Sequence, residues 1–292
     1  MPTWAPERVV SPVEAVALIE AQMPDLRPVI IGRAWTGWDN TVYQVNGDLV
    51  FRFPRRQVAV RLLETEIRVL PRLAPRLPLP VAVPERLGQA TEAYPWPFAG
   101  YRKLPGETAD RVHLADSERA SLAAPLGRFL SALHALATDG LGLPADDWGR
   151  LDFRRRLPEF RERAATIGLA HAGAWERELE AAPPSRPRAV VHGDLYSRAL
   201  LVDLLDGAHI AGVIDWGDIH LGDPAVDLAI AHSFLPATAR AAFREAYGPI
   251  DEETWLLARL RAIFHTTAVL AYALDLCDAD LEREARHALS RM

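Results

Sequence analysis

The sequence predicts an α+β fold of two lobes, a small β-rich N-terminal lobe and a larger α-helical C-terminal lobe. The first lobe carries alternating apolar runs, and Asn46-Gly47 between two of them is a strong hairpin signal. After residue 104 helical periodicity dominates. A polar hairpin interrupts it where Asp206-Gly207 joins ALLVDL to HIAGVID. Since 292 residues can build two cores, we expect an N-lobe over 1–99, a connector over 100–104 and a C-lobe over 105–292.

In the N-lobe, Ser11-Pro12 has the residue types of a helix start, and the helix is expected to run to Gln22. Alternation predicts strands over 28–35, 41–45 and 49–54. A helix is expected over 57–74, followed by one or two strands within 80–101. In the C-lobe, the apolar spacing predicts helices over 116–137, 152–166, 171–181, 224–234, 237–246 and 251–290, the last broken near 278.

Composition and charge exclude several classes of protein. The net charge of −6 argues against a nucleic-acid partner. No apolar run reaches the roughly 18–20 residues of a membrane span, and the N-terminus lacks the features of a secretory signal. A single cysteine, Cys277, favours a cytoplasmic location. Residues 104–292 carry 20 basic against 29 acidic side chains, which fits solvated helical faces better than a site for a cationic substrate.

Two carboxylates close the polar hairpin region. Asp194 lies on the loop before one strand and Asp215 ends the next, so the hairpin is expected to bring both to one edge. Taken singly, each is an ordinary turn residue. Together they suit one base and one ligand of Mg²⁺, which binds one or two carboxylates and completes its shell with water and phosphate oxygens.

The spacing of these residues matches the protein-kinase motif set. His192-Gly193-Asp194 corresponds to the catalytic-loop motif, and Asp215-Trp216-Gly217 to the metal-binding motif. The N-lobe should then supply a strand cation and a helix glutamate. Because Lys103 is the only lysine in the chain, Arg52 must serve as the cation. Helical phase alone does not decide between Glu64 and Glu66 as its partner.

Several segments together resemble the aminoglycoside and macrolide phosphotransferase family of kinase-like enzymes. They are GWDNTVYQV (37–45), VFRFPRR (50–56), ETEIRVLPRLAPRLPLPV (64–81), YPWPFAGYRKLPGE (94–107), FLSALHAL (129–136), HGDLY (192–196) and VIDWGDIHLGDPAVDLA (213–229). The resemblance implies a bilobal protein-kinase-like fold with the active site between the lobes. It also implies transfer of the γ-phosphate of ATP or GTP to a hydroxyl of a small molecule, with Mg²⁺ bridging the phosphates.

The resemblance also implies roles for individual residues. Asp194 would be the catalytic base and Asp215 the principal metal ligand, while Glu66 would orient Arg52 on the α- and β-phosphates. The remaining implied residues fall into two groups. The nucleotide base would meet a hinge over Tyr101, Arg102, Lys103 and Leu104 and a floor formed by Leu201 and Ile214; His192 and Asp227 would brace the catalytic loop.

One departure from the family pattern stands at Ala199, where the family has Asn or His as a second metal ligand. A methyl group cannot bind metal, so the second site should weaken. Water could complete the shell, Ala199 could replace a parental Asn or His, or the chain could be a pseudokinase; the first two explanations are favoured. A further departure is the loop 36–40, which has one glycine where protein kinases have three.

The leading functional hypothesis is an antibiotic phosphotransferase, with macrolides slightly ahead of aminoglycosides as acceptors. Kinases of choline, homoserine or sugar-like metabolites are the alternative enzymes. A nucleotide-binding pseudokinase is the alternative without activity. A metal-dependent hydrolase built on Asp215 with His209, His220 or His232 is a distant third, because their spacing matches no metal-site pattern.

Overall fold

The computed structural model describes residues 5–170 and 172–292. The chain forms two compact units. Unit 1 contains the residues up to Pro75, with Val81–Leu104 and Trp216–Asp218; unit 2 contains Arg76–Pro80, Pro105–Asp215 and Ile219–Met292. Unit 1 is built on an antiparallel sheet and unit 2 is mostly helical, so the predicted α+β class is confirmed.

Unit 1 contains a five-stranded antiparallel sheet in the order β1-β2-β3-β5-β4. The strands are β1 (Ile31–Thr36), β2 (Asn40–Val45), β3 (Leu49–Pro54), β4 (Pro84–Gly88) and β5 (Phe98–Arg102). The turn between β2 and β3 has Asn46 at φ 51° and Gly47 at φ 86°. Positive φ at both residues is what an Asn-Gly hairpin requires, and the predicted hairpin is confirmed.

Strand β1 begins three residues later than predicted. Its ladder starts at the Ile31–Val45 pair. Pro28 has no N–H to donate, and Ile30 bonds elsewhere: its N–H donates to Asn46 Oδ1 at 2.8 Å and its carbonyl accepts from the Asn46 N–H at 3.0 Å. The hairpin asparagine thus takes the bonds that a longer strand would have used.

Two helices and an aromatic core complete unit 1. Helix α1 (Pro12–Gln22) starts with a capping box formed by Ser11 and Glu14. Helix α2 (Gln57–Leu73) is strongly amphipathic. The Phe53 and Phe98 rings stack at 4.8 Å within the core. Short 3₁₀ turns lie at Pro24–Leu26, Ala74–Arg76 and Trp216–Asp218.

Nine helices are found in the described part of unit 2. They are α3 (Asp116–Ser121), α4 (Ala123–His134), α5 (Phe153–Thr166), α6 (Ala172–Glu180), α7 (Ala225–Leu228), α8 (Ile230–Ser233), α9 (Arg240–Tyr247), α10 (Glu252–Asp275) and α11 (Ala279–Ser290). The break between α10 and α11 falls where it was expected, with Cys277 at φ 53° and Asp278 capping α11. The predicted first residue of α6, His171, lies outside the described residues.

The helix predicted over 116–137 is wrong as a single element. It divides at Leu122 into α3 and α4. Pro125 explains the division, because proline has no N–H for the carbonyl of Ser121 and its ring clashes with that carbonyl. The segment 224–234 likewise divides into α7 and α8, and 237–239 forms a 3₁₀ turn before α9.

Five short strands lie around the segment of unit 2 that carries Asp194. The predicted hairpin is present as β8 (Leu200–Asp203) and β9 (His209–Val213), and β6 (Glu107–Thr108) extends it to three strands. Strands β7 (Ala189–Val191) and β10 (His220–Gly222) pair with each other. The sequence did not predict β6, β7 and β10, because two or three residues are too short to show a period. Among residues 5–170 and 172–292, no helix combines the length and hydropathy needed to cross a membrane.

Candidate active site

The loop that carries Asp194 is fixed by a buried carboxylate. Strand β7 ends at Val191, and the Asp227 side chain, fully buried on α7, accepts the next two backbone N–H groups: His192 at 2.7 Å and Gly193 at 2.9 Å. His134 Nε2 lies 3.2 Å from the same carboxylate. Burial raises the pKa of Asp227, but the His134 contact and the backbone bonds prevail and hold it below its usual value. Asp227 therefore sets the path of the chain into Asp194.

The His192 ring links the two predicted functional carboxylates through the backbone. Its Nδ1 accepts from the Asp194 N–H at 3.3 Å, and its Nε2 donates to the carbonyl of Ile214 at 2.9 Å. Ile214 directly precedes Asp215. These two contacts define the Nε2–H tautomer, and the ring is fully buried. One imidazole thus ties the backbone of Asp194 to that of the residue before Asp215.

The charges of both carboxylates affect the side chain of Tyr196. Burial raises the pKa of the Tyr196 phenol well above its usual value, and the negative charges of Asp194 and Asp215 raise it further. Both charges therefore act on this one side chain. Their convergence on one reacting group stays a prediction.

Two residues of α10 that the sequence did not single out contact Asp194. The His265 Nε2 lies 3.0 Å, and an Arg261 guanidinium nitrogen 4.0 Å, from Asp194 Oδ1. A third of the Asp194 side chain is exposed. Burial raises the pKa of Asp194, but His265, then Arg261 and Arg150, hold it well below its usual value. Burial, aided by Arg261, lowers the pKa of His265. The spacing i, i+4 on one helix face was the only signal in the sequence.

Asp215 has the backbone conformation of a constrained residue. It lies at φ 66°, a left-handed conformation that is uncommon outside glycine. Its side chain is exposed, whereas the following Trp216 is fully buried and anchors the turn. Strained backbone of this kind clusters at functional sites, where surrounding structure maintains it. The backbone that carries the exposed Asp215 carboxylate is therefore constrained, and the binding of a metal ion by this side chain stays a prediction.

Position 199 is joined through its backbone to Ile214, the residue before Asp215. The Ala199 carbonyl accepts from the Ile214 N–H at 2.9 Å, and the methyl group is buried. The donor set fits one Mg²⁺ held through Asp215, because this ion needs only one or two carboxylates. It does not fit a second ion held from position 199. Within the described residues there is no cluster of three or more His, Cys, Asp or Glu side chains suited to a metal.

The predicted floor residues flank the same hairpin. Leu201 lies in β8 and is buried, and Ile214 follows β9 and is half-buried. Neighbouring Arg198 fixes the 3₁₀ turn at Ser197–Ala199, since it donates to Asp110 at 2.9 Å and to Asp278 at 2.7 Å. The hairpin is thereby tied to α11 through its N-cap residue.

In unit 1, the predicted strand cation and helix glutamate meet. Arg52 on β3 donates to Glu66 on α2, with nitrogen-to-oxygen distances of 3.1 and 3.4 Å. Glu66 is 1% exposed, whereas Glu64 is on the exposed face of α2. The geometry thus resolves the choice between the two glutamates. The Arg52 guanidinium also lies 5.7 Å from the centre of the Tyr101 ring.

The predicted hinge residues follow β5 to the end of unit 1. Tyr101 is buried and pairs with Val50 in the sheet, and Arg102 is exposed. The Lys103 N–H donates to the Asp48 carbonyl at 2.8 Å, and Leu104 is the last residue of unit 1 before Pro105. The Tyr101–Leu104 strand end is thus well ordered by backbone bonds. Its role toward a nucleotide stays a prediction.

The loop at 36–40 is held by arginines instead of by further glycines. The Gly37 N–H donates to the Asn40 carbonyl at 2.9 Å. Arg55 donates to the Gly37 carbonyl at 2.9 Å, and Arg56 forms an ion pair with Asp39. These bonds give the loop a fixed shape with a single glycine.

Together, the antiparallel sheet unit with its Arg–Glu pair and the helical unit with its braced catalytic loop define a kinase-like protein. The family comparison agrees. The chain belongs to the phosphotransferase enzyme family, whose model matches residues 31–263. The predicted family resemblance is confirmed.

Solved structures with the same fold include phosphotransferases of two antibiotic classes. An aminoglycoside 2'-phosphotransferase in complex with GDP superimposes with a TM-score of 0.72 at 22% identity, over 95% of this chain and 97% of that one. A macrolide 2'-phosphotransferase from Brachybacterium faecium gives a TM-score of 0.59 at 25% identity, over 94% and 97%. Both likenesses cover nearly the whole chain and show its fold.

Curated relatives match in shorter segments. Viomycin phosphotransferase of Streptomyces vinaceus is 49% identical over 57 residues, which is 18% of this chain and 20% of that protein. Homoserine kinase of Pseudomonas aeruginosa is 34% identical over 149 residues, 44% of this chain and 46% of that protein. The chain thus matches less than half the length of either relative.

Proposed function

We propose that this phosphotransferase moves the γ-phosphoryl group of ATP or GTP to a hydroxyl group of a small molecule. The observation that carries the proposal is the His192 ring, which holds the backbone of Asp194 and that of Ile214, next to Asp215. A base and a metal ligand that must act on one reacting group need such a shared support. Phosphoryl transfer depends on positioning and electrostatics more than on covalent chemistry by the protein.

Each residue of the site has a defined task in this proposal. Asp194 accepts or orients the acceptor hydroxyl, and its low pKa keeps it ionised for that purpose. Asp215 holds Mg²⁺, which supplies charge neutralisation at the phosphates when bound. Arg52, oriented by Glu66, binds the α- and β-phosphates. The main chain at Tyr101–Leu104 meets the purine, and Leu201 and Ile214 pack against it.

The proposal covers a wider range of acceptor molecules than of phosphate donors. The names of the relatives and neighbours support both antibiotics and small metabolites as acceptors, since they include aminoglycoside, macrolide and viomycin phosphotransferases and a homoserine kinase. ATP and GTP are alternative donors. A cytoplasmic location belongs to the same proposal, because a chain with a single cysteine forms no internal disulfide.

Nucleotide binding is expected to raise the melting temperature of the protein in a manner that depends on Asp215. A ligand that binds only the folded state stabilises it by about 2.7 kcal/mol at 100 times its Kd. Asp215→Asn should lose the Mg²⁺-dependent part of this stabilisation. Asp206→Asn is the matched control, because Asp206 is also exposed and lies at a similar φ of 61°. Thermal-shift titration with ATP or GTP, with and without Mg²⁺, measures the effect. No shift with either nucleotide would contradict both the kinase and the pseudokinase hypotheses.

Ala199→Asn is expected to increase turnover at limiting Mg²⁺. The family has a metal ligand at this position, so the amide oxygen is expected to supply one, and a gain of roughly 1.4 kcal/mol in metal binding corresponds to about a tenfold lower Mg²⁺ requirement. Ala199→Leu adds a similar volume without a ligand and serves as the control for crowding at this buried position. The measurement is the rate of phosphate transfer against Mg²⁺ concentration over a panel of macrolides, aminoglycosides and hydroxylated metabolites. An identical Mg²⁺ profile in Ala199→Asn and wild type would remove the metal-site account.

A further inference from the structure

The guanidinium of Arg261 is buried beside Asp194 without a bonded partner. The residue is 5% exposed. Its nearest carboxylate oxygen is Asp194 Oδ1 at 4.0 Å, and no hydrogen bond to it is found among the residues that the structure describes. A guanidinium has five N–H donors, and no Arg261 nitrogen is among the described side-chain atoms that are both shielded from solvent and without a partner. Arg261 therefore has donors available for a group that binds at Asp194.

Other buried arginines of unit 2 behave differently. Arg119 reaches Glu284 at 2.6 Å and Arg150 reaches Asp146 at 2.6 Å, both within hydrogen-bond distance. A purely structural pair between Arg261 and Asp194 would be expected to close in the same way. Instead Asp194 Oδ1 has His265 as its near neighbour at 3.0 Å. A structural ion pair therefore does not explain the 4.0 Å separation between Arg261 and Asp194.

The surrounding charge is positive. Arg150 and Arg156 act on Arg261, and each already has an acidic partner, Asp146 and Glu159. Burial, chiefly, lowers the pKa of Arg261 to about 10, so that the group remains charged at neutral pH. The Asp194 carboxylate also contacts His265, whose Nε2 lies 3.0 Å from Oδ1. An additional anion would complete the electrostatic balance around Arg261.

We propose that the acceptor is a hydroxy acid, whose hydroxyl group meets Asp194 while its carboxylate is bound by Arg261. The proposal rests on the proposed function of Asp194 and narrows its acceptor. A guanidinium binds a carboxylate through two parallel N–H donors, which fixes direction as well as distance. The Arg261 guanidinium and the Asp194 carboxylate lie 4.0 Å apart. A hydroxyl oxygen bonded to Asp194 and a carboxylate oxygen bonded to Arg261 would then be about 4–6 Å from each other. Short hydroxy acids span that distance.

This charge pattern disfavours a polyamine at the same point. An ammonium group placed beside Arg261 would meet a like charge in a partly buried setting. A phosphate oxygen of the nucleotide is the other oxyanion that could reach Arg261. The Arg261 donors lie on the same helix as His265 and next to Asp194, the proposed base. This position favours a carboxylate of the acceptor molecule over a phosphate of the nucleotide.

The test compares hydroxy acids with their amides. 3-Hydroxypropionate and 4-hydroxybutyrate are each titrated by calorimetry against 3-hydroxypropanamide and 4-hydroxybutyramide, without nucleotide. ATP with Mg²⁺ is titrated separately. The first variant is Arg261→Gln, which removes the charge. The second is Arg261→Lys, which keeps the charge but lacks the paired N–H donors of a guanidinium, and it serves if the first variant folds poorly. Arg259→Gln is the matched control, because Arg259 lies on the same helix and pairs with Glu178.

The expected result is at least tenfold tighter binding of one acid than of its amide, lost in Arg261→Gln, reduced in Arg261→Lys and kept in Arg259→Gln. Equal binding of acids and amides, or no binding of any acid, overturns the proposal. It is also overturned if Arg261→Gln weakens ATP binding and leaves acid binding unchanged. Acid binding that depends on Arg261 without phosphate transfer to any acceptor would retain this inference and refute the proposed function.

Discussion

Glu284→Ala is expected to lower the free energy of unfolding by about 3–5 kcal/mol, because it leaves a buried arginine without its counterion. Arg119 on α3 donates to both oxygens of Glu284 on α11, at 2.7 and 2.6 Å. The side chains are only 3% and 8% exposed. The guanidinium also lies 4.8 Å from the centre of the Phe234 ring. With Glu284 removed, Arg119 keeps only the longer bonds to the carbonyls of Leu114 and Phe234, at 3.3 and 3.4 Å.

The measurement is urea unfolding of wild type and variants at one pH. The control is Glu176→Ala, which breaks the exposed Arg161–Glu176 pair and should cost only about 0–1 kcal/mol. The double variant Arg119→Met with Glu284→Leu should be closer to wild type than Glu284→Ala, because it buries no unpaired charge. A loss for Glu284→Ala no larger than that for Glu176→Ala would show that the buried pair is not what joins α3 to α11.

Features that depend on local sequence were predictable in this chain. The Asn46-Gly47 turn and the Asp206-Gly207 turn adopt positive φ as those residue types require. The bracing of the Asp194 loop by His192 and Asp227 was predicted only from the family resemblance, and backbone hydrogen bonds to both side chains are present. Choosing Glu66 over Glu64 needed the resemblance, because the α2 pattern placed both near the boundary of its apolar face. The structure settles the choice by burial of Glu66.

Features that the apolar periodicity does not reveal were missed. Pro125 divides a continuous helical pattern, a local effect that the apolar period concealed. Strands β7 and β10 exist only as each other's partners, and three residues carry no period. Arg261 and His265 contact Asp194 from α10, which is far from it in the sequence. The residues around His192-Gly193-Asp194 give no indication of these contacts. The contacts of α10 with Asp194 therefore could not be predicted from the sequence.

Asp194→Asn is expected to reduce turnover by about 10²–10⁴-fold, the usual contribution of a positioned general base. The amide keeps the shape of the side chain and can still meet His265, but it no longer attracts the proton of an acceptor hydroxyl. Its position is set through the backbone by Asp227 and His192, so the loop should keep its path. Nucleotide binding, which the proposal assigns to Arg52 and Asp215, should survive.

The most direct measurement is the rate of phosphate transfer from Mg²⁺-nucleotide by wild type and Asp194→Asn, both saturated with donor as judged by their thermal shifts. The acceptor is whichever panel compound the wild type phosphorylates. We expect wild-type transfer, a loss of at least about 10²-fold in the variant and an unchanged nucleotide-induced shift. Equal transfer rates in the two proteins would contradict the assignment of Asp194 as the base and, with it, the central claim about this site.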